Sequence, residues 1–167
     1  MFDLQCGQSS VDPRGTTEGE RSIAVTPNKQ YPYMRRISIR WKDNDIYGHV
    51  NNVEYYSYFD TVINEYLILE AGLDIHGGSA IGVCAESHCK FMDAIAFPGS
   101  VLAGLAVEKL GNSSVRYAIG LFDGSESPEE ERPLAEGWFV HVFVDRGTRR
   151  PIPVPDDIRS GLEAIKR

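Results

Sequence analysis

Residues 41–55 read WKDNDIYGHVNNVEY and bring Asp43, Asp45, His49, Asn51 and Asn52 into one short stretch. Two carboxylates, an imidazole and two amides this close together suit either of two chemistries. Carboxylate, imidazole and amide groups so close together can serve as a reaction centre. An oxygen-rich set can equally cage a metal ion. His49 adds a group that donates or accepts a proton near neutral pH.

The elements on either side must position these groups. Residues 34–41 alternate as a strand, with Ile37, Ile39 and Trp41 on the inward face. Residues 52–71 carry apolar side chains at Val53, Tyr56, Phe59, Ile63, Tyr66 or Leu67, and Leu69, the spacing of a helical stripe. Asn51 or Asn52 can cap that helix, Glu54 suits its first turn, and Gly72 suits its end. At about 1.5 Å per residue it would be near 30 Å long. Four more strand-like runs follow, at 81–91, 100–110, 113–122 and 134–144. The first should place Ile81, Val83, Ala85, Ser87, Cys89 and Phe91 on one face. Gly111-Asn112 makes a tight reversal between the second and third, and an acidic loop at 123–132 joins the next pair. The Pro-rich stretch 151–155 closes the sheet, and 156–166 predicts a terminal helix. One strand, a long helix and four antiparallel strands make a single α+β domain over 31–167, with 1–30 read as a mobile tail rich in Ser, Gly, Thr, Glu and Pro.

Composition narrows the function. The chain has 167 residues, 42% of them hydrophobic, enough for one core. Its net charge of -7 argues against a nucleic-acid partner. No run approaches a membrane span, and no apolar signal core opens the chain. Three cysteines argue against a disulfide framework and for the reducing cytoplasm. Cys84 and Cys89, five apart on one strand, should point to opposite faces. Arg146, Arg149 and Arg150 gather after the last strand, either as a solvated strand end or as a seat for phosphates.

The pattern Asp45-x-x-Gly48-His49-Val50-Asn51-Asn52-x-x-Tyr55, set between a strand and a long helix, resembles the acyl-CoA thioesterases of the hotdog fold. Within them it is similar to the 4-hydroxybenzoyl-CoA thioesterase group. The likeness covers 34–154, including the Phe97-Pro98-Gly99 passage into a strand and the Val144-Asp145 strand end. It implies a helix wrapped by a curved antiparallel sheet, and a homodimer or homotetramer whose dimer interface holds the active sites. It implies that Asp45 is the nucleophile or the general base, that the Asn52 amide polarises the thioester carbonyl, and that His49 assists. The plant carrier-protein thioesterases have an Asn two residues after the aspartate; here that residue is Tyr47, and their Asp-Asn-His arrangement is not reproduced.

The expected activity is hydrolysis of an acyl-CoA to acid and coenzyme A, with coenzyme A as part of the substrate and no metal or other cofactor. Tyr55, Tyr58, Phe59 and Val62 on the helix are expected to line the acyl pocket, and Gly48 and Asn51 to bind the substrate as well. Ser113, Ser114 and Arg116 are at a strand start where related enzymes meet the nucleotide, and Arg149 and Arg150 are the phosphate seat. His88 and His141 read as structural. One alternative is a hotdog module that binds acyl thioesters without cleaving them. Another is calcium: Asp43, Asp45, Asn51 and Glu54 fall at positions 1, 3, 9 and 12 of an EF-hand loop, with Gly48 at position 6. Tyr47 at position 5 and the strand-like approach count against it.

Overall fold

The computed structural model describes residues 30–124 and 132–167. The predicted tail, apart from Gln30, and most of the acidic loop lie outside the described residues. In chain order come β1 (Tyr33–Ser38), a 3-10 turn (Trp41–Asp43), α1 (Asn52–Leu69), β2 (Ala80–Phe91), β3 (Ser100–Leu110), β4 (Ser114–Asp123), β5 (Ala135–Asp145) and α2 (Asp156–Ala164). The strands form one antiparallel sheet ordered β1-β3-β4-β5-β2. This is the expected hotdog architecture: α1, 18 residues and about 27 Å long, lies on the inner face of the sheet.

The core sits between that helix and the inward side chains of the sheet. Tyr55, Phe59, Val62, Ile63 and Leu67 of α1 pack with Leu105, Tyr117, Ile119, Phe139 and Phe143. A smaller cluster, Tyr31, Met34, Leu102, Ala106, Ala118 and Phe122, covers the outer face. The helix ends as Gly72 suggests. Gly72 has φ +75, and the Leu73 N–H donates to the Leu67 carbonyl at 2.8 Å, closing the last turn.

Three expectations need correction. Trp41 does not face inward; it is 77% exposed, because β1 ends at Ser38 and the chain tightens into the 3-10 turn. It rests edge-on against Phe97 instead. The buried stripe of α1 is Tyr55, Tyr58, Phe59, Val62, Ile63, Tyr66 and Leu67, whereas Val53 and Leu69 are exposed. Tyrosine occurs on two sides of this helix, and spacing alone favours the half-buried Tyr56 over the buried Tyr55 and Tyr58. The third correction lies in β2. Cys84 pairs with His141 and Glu86 with Val140, leaving Ala85 as a bulge. The extra residue restarts the alternation. Cys84 and Cys89 therefore share the inner face, opposite His141 and Gly137, and Ile81 and Val83 turn to the outer one.

Gly137 shows how closely helix and sheet approach. A Cβ there would overlap the Phe59 ring and the His88 carbonyl, and backbone cannot move aside cheaply. Gly137→Ala is expected to cost about 1–3 kcal/mol, read as a lower urea midpoint with an unchanged slope.

Candidate active site

The 43–51 segment folds into a small hairpin. Asp45 N–H donates to the His49 carbonyl at 2.9 Å, Asn51 N–H donates to the Asp43 carbonyl at 2.8 Å, and Asn44 bridges to Val50. Gly48, at φ +85, allows the reversal that a side chain would strain. At the hairpin's exit Asn51 caps α1, its Oδ1 accepting from Val53 N–H at 3.1 Å. The predicted turn, cap and helix start thus meet in one place.

The two carboxylates of the turn have different surroundings. Asp43 is fully buried. It accepts from the Arg40 N–H at 2.8 Å, the Arg40 Nε at 2.9 Å and the Tyr58 hydroxyl at 2.8 Å. Burial alone would raise its pKa. The Arg40 N–H, the Tyr58 hydroxyl and the Arg40 charge outweigh that and hold it below the usual aspartate value. Burial pushes the Tyr58 phenol far up, and its bond to Asp43 adds to that. Glu54 receives Arg40 at 3.1 Å and Lys42 at 3.9 Å, which ties the first turn of α1 to the same network.

Asp45 is half-buried, and its carboxylate makes a single bond among the described residues, from the Tyr47 N–H at 2.8 Å. The Asn52 N–H, at the first position of α1, has no hydrogen-bond partner among the described residues. His49 is exposed on the hairpin, and its ring makes no hydrogen bond there. A carboxylate with one hydrogen bond, an exposed imidazole and the first N–H of α1 therefore follow one another along the passage from turn to helix, residues 45–52. Calcium is poorly served. Asp43, the first ligand of the EF-hand reading, is enclosed by Arg40 and Tyr58, and a strand rather than a helix leads into the loop.

The remaining predicted residues divide by location. Tyr55 and Phe59 are buried under α1, Tyr55 edge-on to Phe91 and Phe59 against Phe139. Tyr58 is also buried, with its hydroxyl committed to Asp43. Ser113, Ser114, Arg149 and Arg150 are gathered at the other end of the sheet. The Ser113 carbonyl accepts from Phe143 N–H, and the Arg150 carbonyl accepts from Asp145 N–H, beside the start of β2. The Asp45 hairpin adjoins the opposite end, where Val50 N–H meets the Ile95 carbonyl. Twelve residues of β2 separate the two ends, about 40 Å. Within one chain they do not meet. Arg116 lies on the outer face, over the Trp138 ring at 3.9 Å and bonded to Glu108 at 2.9 Å. Arg146 closes a loop by donating to the Gly78 and Ile75 carbonyls. His88 stacks on Trp138, and His141 is buried in the core, where desolvation lowers its pKa.

Sequence reasoning missed Arg40 and the role of Asp43. Arginine at the end of a strand and aspartate in a turn are both common, and only the register of the turn shows them to be partners. A family model of the thioesterase-like superfamily matches residues 39–162, which begins just before this turn and takes in all of α1 and β2 to β5. The chain belongs to that superfamily. Among solved structures, this thioesterase-like chain is similar to the PA5185 protein of Pseudomonas aeruginosa, with 48% identity and a TM-score of 0.78 over 82% of this chain and 93% of that one. It is also similar to PA2801 of the same organism, at 28% identity and a TM-score of 0.72, covering 80% and 99%. The BH1999 gentisyl-coenzyme A thioesterase shares the fold at 18% identity, with a TM-score of 0.67 over 78% and 99%. No curated protein matches the chain.

Proposed function

We propose that this thioesterase-like protein hydrolyses acyl-CoA thioesters to the free acid and coenzyme A, with Asp45 as nucleophile or general base. The observation that carries the reading is an Asp45 carboxylate held by one hydrogen bond in the turn that leads into α1, whose first N–H, that of Asn52, has no partner among the described residues. The thioester oxygen would accept from that N–H, where the helix dipole also favours negative charge. Asp45 would attack the carbonyl carbon, to be released by water, or would take the proton from an attacking water. His49, on the rim, would orient that water or the leaving thiol. Gly48 and Asn51 shape the rim, and Tyr55 and Phe59 form the apolar wall nearest the acyl group, whereas Tyr58 is committed to Asp43 and stands behind it. The chemistry calls for no metal or separate cofactor.

The reading also involves a second copy of the chain. β2 is a sheet edge of 12 residues, and most of its residues are exposed. Such an edge favours pairing. Antiparallel pairing of β2 with a second β2 would bring the partner's corner of Ser113, Ser114, Arg149 and Arg150 to the end that carries Asp45. Forked guanidinium groups there would suit the phosphates of coenzyme A. Arg116, held on the outer face, would serve the nucleotide less directly. The acidic net charge disfavours an acidic carrier protein as donor. Cys84 and Cys89 are free thiols, which accords with a cytoplasmic protein, and no helix among the described residues is long and apolar enough to cross a membrane.

A thiol-release assay across acyl-CoA chain lengths and benzoyl-CoA, with EDTA present, tests the reaction. Steady EDTA-insensitive turnover supports it, and binding without turnover favours a non-hydrolytic acyl-thioester module. The shared site has its own test. Asp45→Asn chains mixed with Arg149→Ala/Arg150→Ala chains are expected to recover kcat/KM that neither homo-oligomer has. No recovery after subunit exchange would mean that the arginines act within their own chain or not at all.

A further inference from the structure

The residues on the N-terminal side of Asp45 hold its place. Buried carboxylates are rare, yet Asp43 is fully enclosed and joins three parts of the fold. Its carboxylate takes the N–H and Nε of Arg40, from the chain leaving β1. It takes the hydroxyl of Tyr58, nearly two turns into α1. Its backbone carbonyl takes the N–H of Asn51, the cap of that helix. Asn44 secures the other side, its Oδ1 accepting from Phe97 N–H at 3.1 Å. Asp45 keeps a single hydrogen bond, from the Tyr47 N–H, the Asn52 N–H has no partner among the described residues, and both lie on the segment that Asp43 anchors.

We infer that Asp43, gripped by Tyr58 and Arg40, is the positioning residue that fixes the distance between the Asp45 carboxylate and the Asn52 amide. This rests on the thioesterase reading and adds a role that touches no substrate. A carbonyl must meet both groups at once, one at carbon and one at oxygen. A shift of about 1 Å between such groups can cost about a hundredfold in rate. The Tyr58 hydroxyl is the part of the grip that reaches into the helix, and it can be removed alone.

Tyr58→Phe, assayed for thiol release well below its melting temperature, is expected to lose about tenfold to a hundredfold in kcat with KM for the acyl-CoA changed by less than about twofold. In an Asp45→Asn background the same change is expected to have no further effect on kcat, because the group it positions is gone. Arg40→Lys reads the same grip from its exposed side, and decides the matter should the Tyr58 variant not fold. A lowered melting temperature with full kcat in the cold would make Asp43 merely structural and overturn the inference while leaving the thioesterase reading intact. A wild type without turnover on any ester would overturn both.

Discussion

Asp45→Asn is expected to lose about 10²- to 10⁴-fold in kcat on every acyl-CoA that the wild type cleaves, with almost no change in stability. The two halves of that expectation come from the same contact. The one bond to the Asp45 side chain among the described residues is donated by the Tyr47 N–H to Oδ1, and an asparagine Oδ1 can accept it equally well. The residue is half-buried, so the amide replaces no buried charge. The hairpin and the helix cap should therefore survive. What the amide cannot do is attack a carbonyl carbon or hold a proton taken from water. Thermal unfolding and thiol release on the same preparations check both halves together. A variant that melts like the wild type and retains most of its turnover would place the reacting carboxylate elsewhere.

Asp43→Asn, two residues away, is expected to lose about 3 kcal/mol of stability in addition to activity. Its carboxylate is fully buried, and its partners include a guanidinium and a phenol. An amide would present an NH₂ group to donors that need an acceptor and leave the Arg40 charge without its closest partner. The loss should depend on pH in a definite direction. The folded pKa of Asp43 lies below the value of an unfolded aspartate, so in the window between them the unfolded chain binds more protons. The contribution is fully present above the unfolded value of about 4 and lost as the pH falls through the folded one. Urea unfolding at neutral pH should separate wild type from Asp43→Asn widely, and the gap should narrow on acidification below about pH 4. A gap that stayed constant with pH would mean that the charge of Asp43 contributes nothing.

The contrast between these two aspartates marks where sequence reading reaches its end. The turn, the capped helix after it and the four later strands are written in short-range signals: the Asn-Asn cap, the three-and-four spacing, the alternation, and Gly111-Asn112. Those were legible to within a residue or two. The partition of labour between Asp43 and Asp45 was not, because it depends on Tyr58 turning toward one and away from the other. Trp41 was misplaced for a related reason, since alternation cannot show where a strand stops alternating. The arginines after β5 suit a phosphate site in charge and type. Their distance from Asp45 in one chain follows from strand order, which no local pattern encodes.

The unpaired residue at Ala85 gives β2 something like a reading frame. Upstream of it the inward set is Gly82 and Cys84, and downstream it is Ser87, Cys89 and Phe91. An odd step joins the two sets. The strand can tolerate exchanges among side chains of similar size, but it cannot gain or lose one residue without consequence. A strand one residue shorter would either give up the bulge or bring His88 and Lys90 round to face Phe59. The length of this edge is therefore constrained more tightly than its composition, and wherever two such edges align, the phase of one fixes what the other can offer.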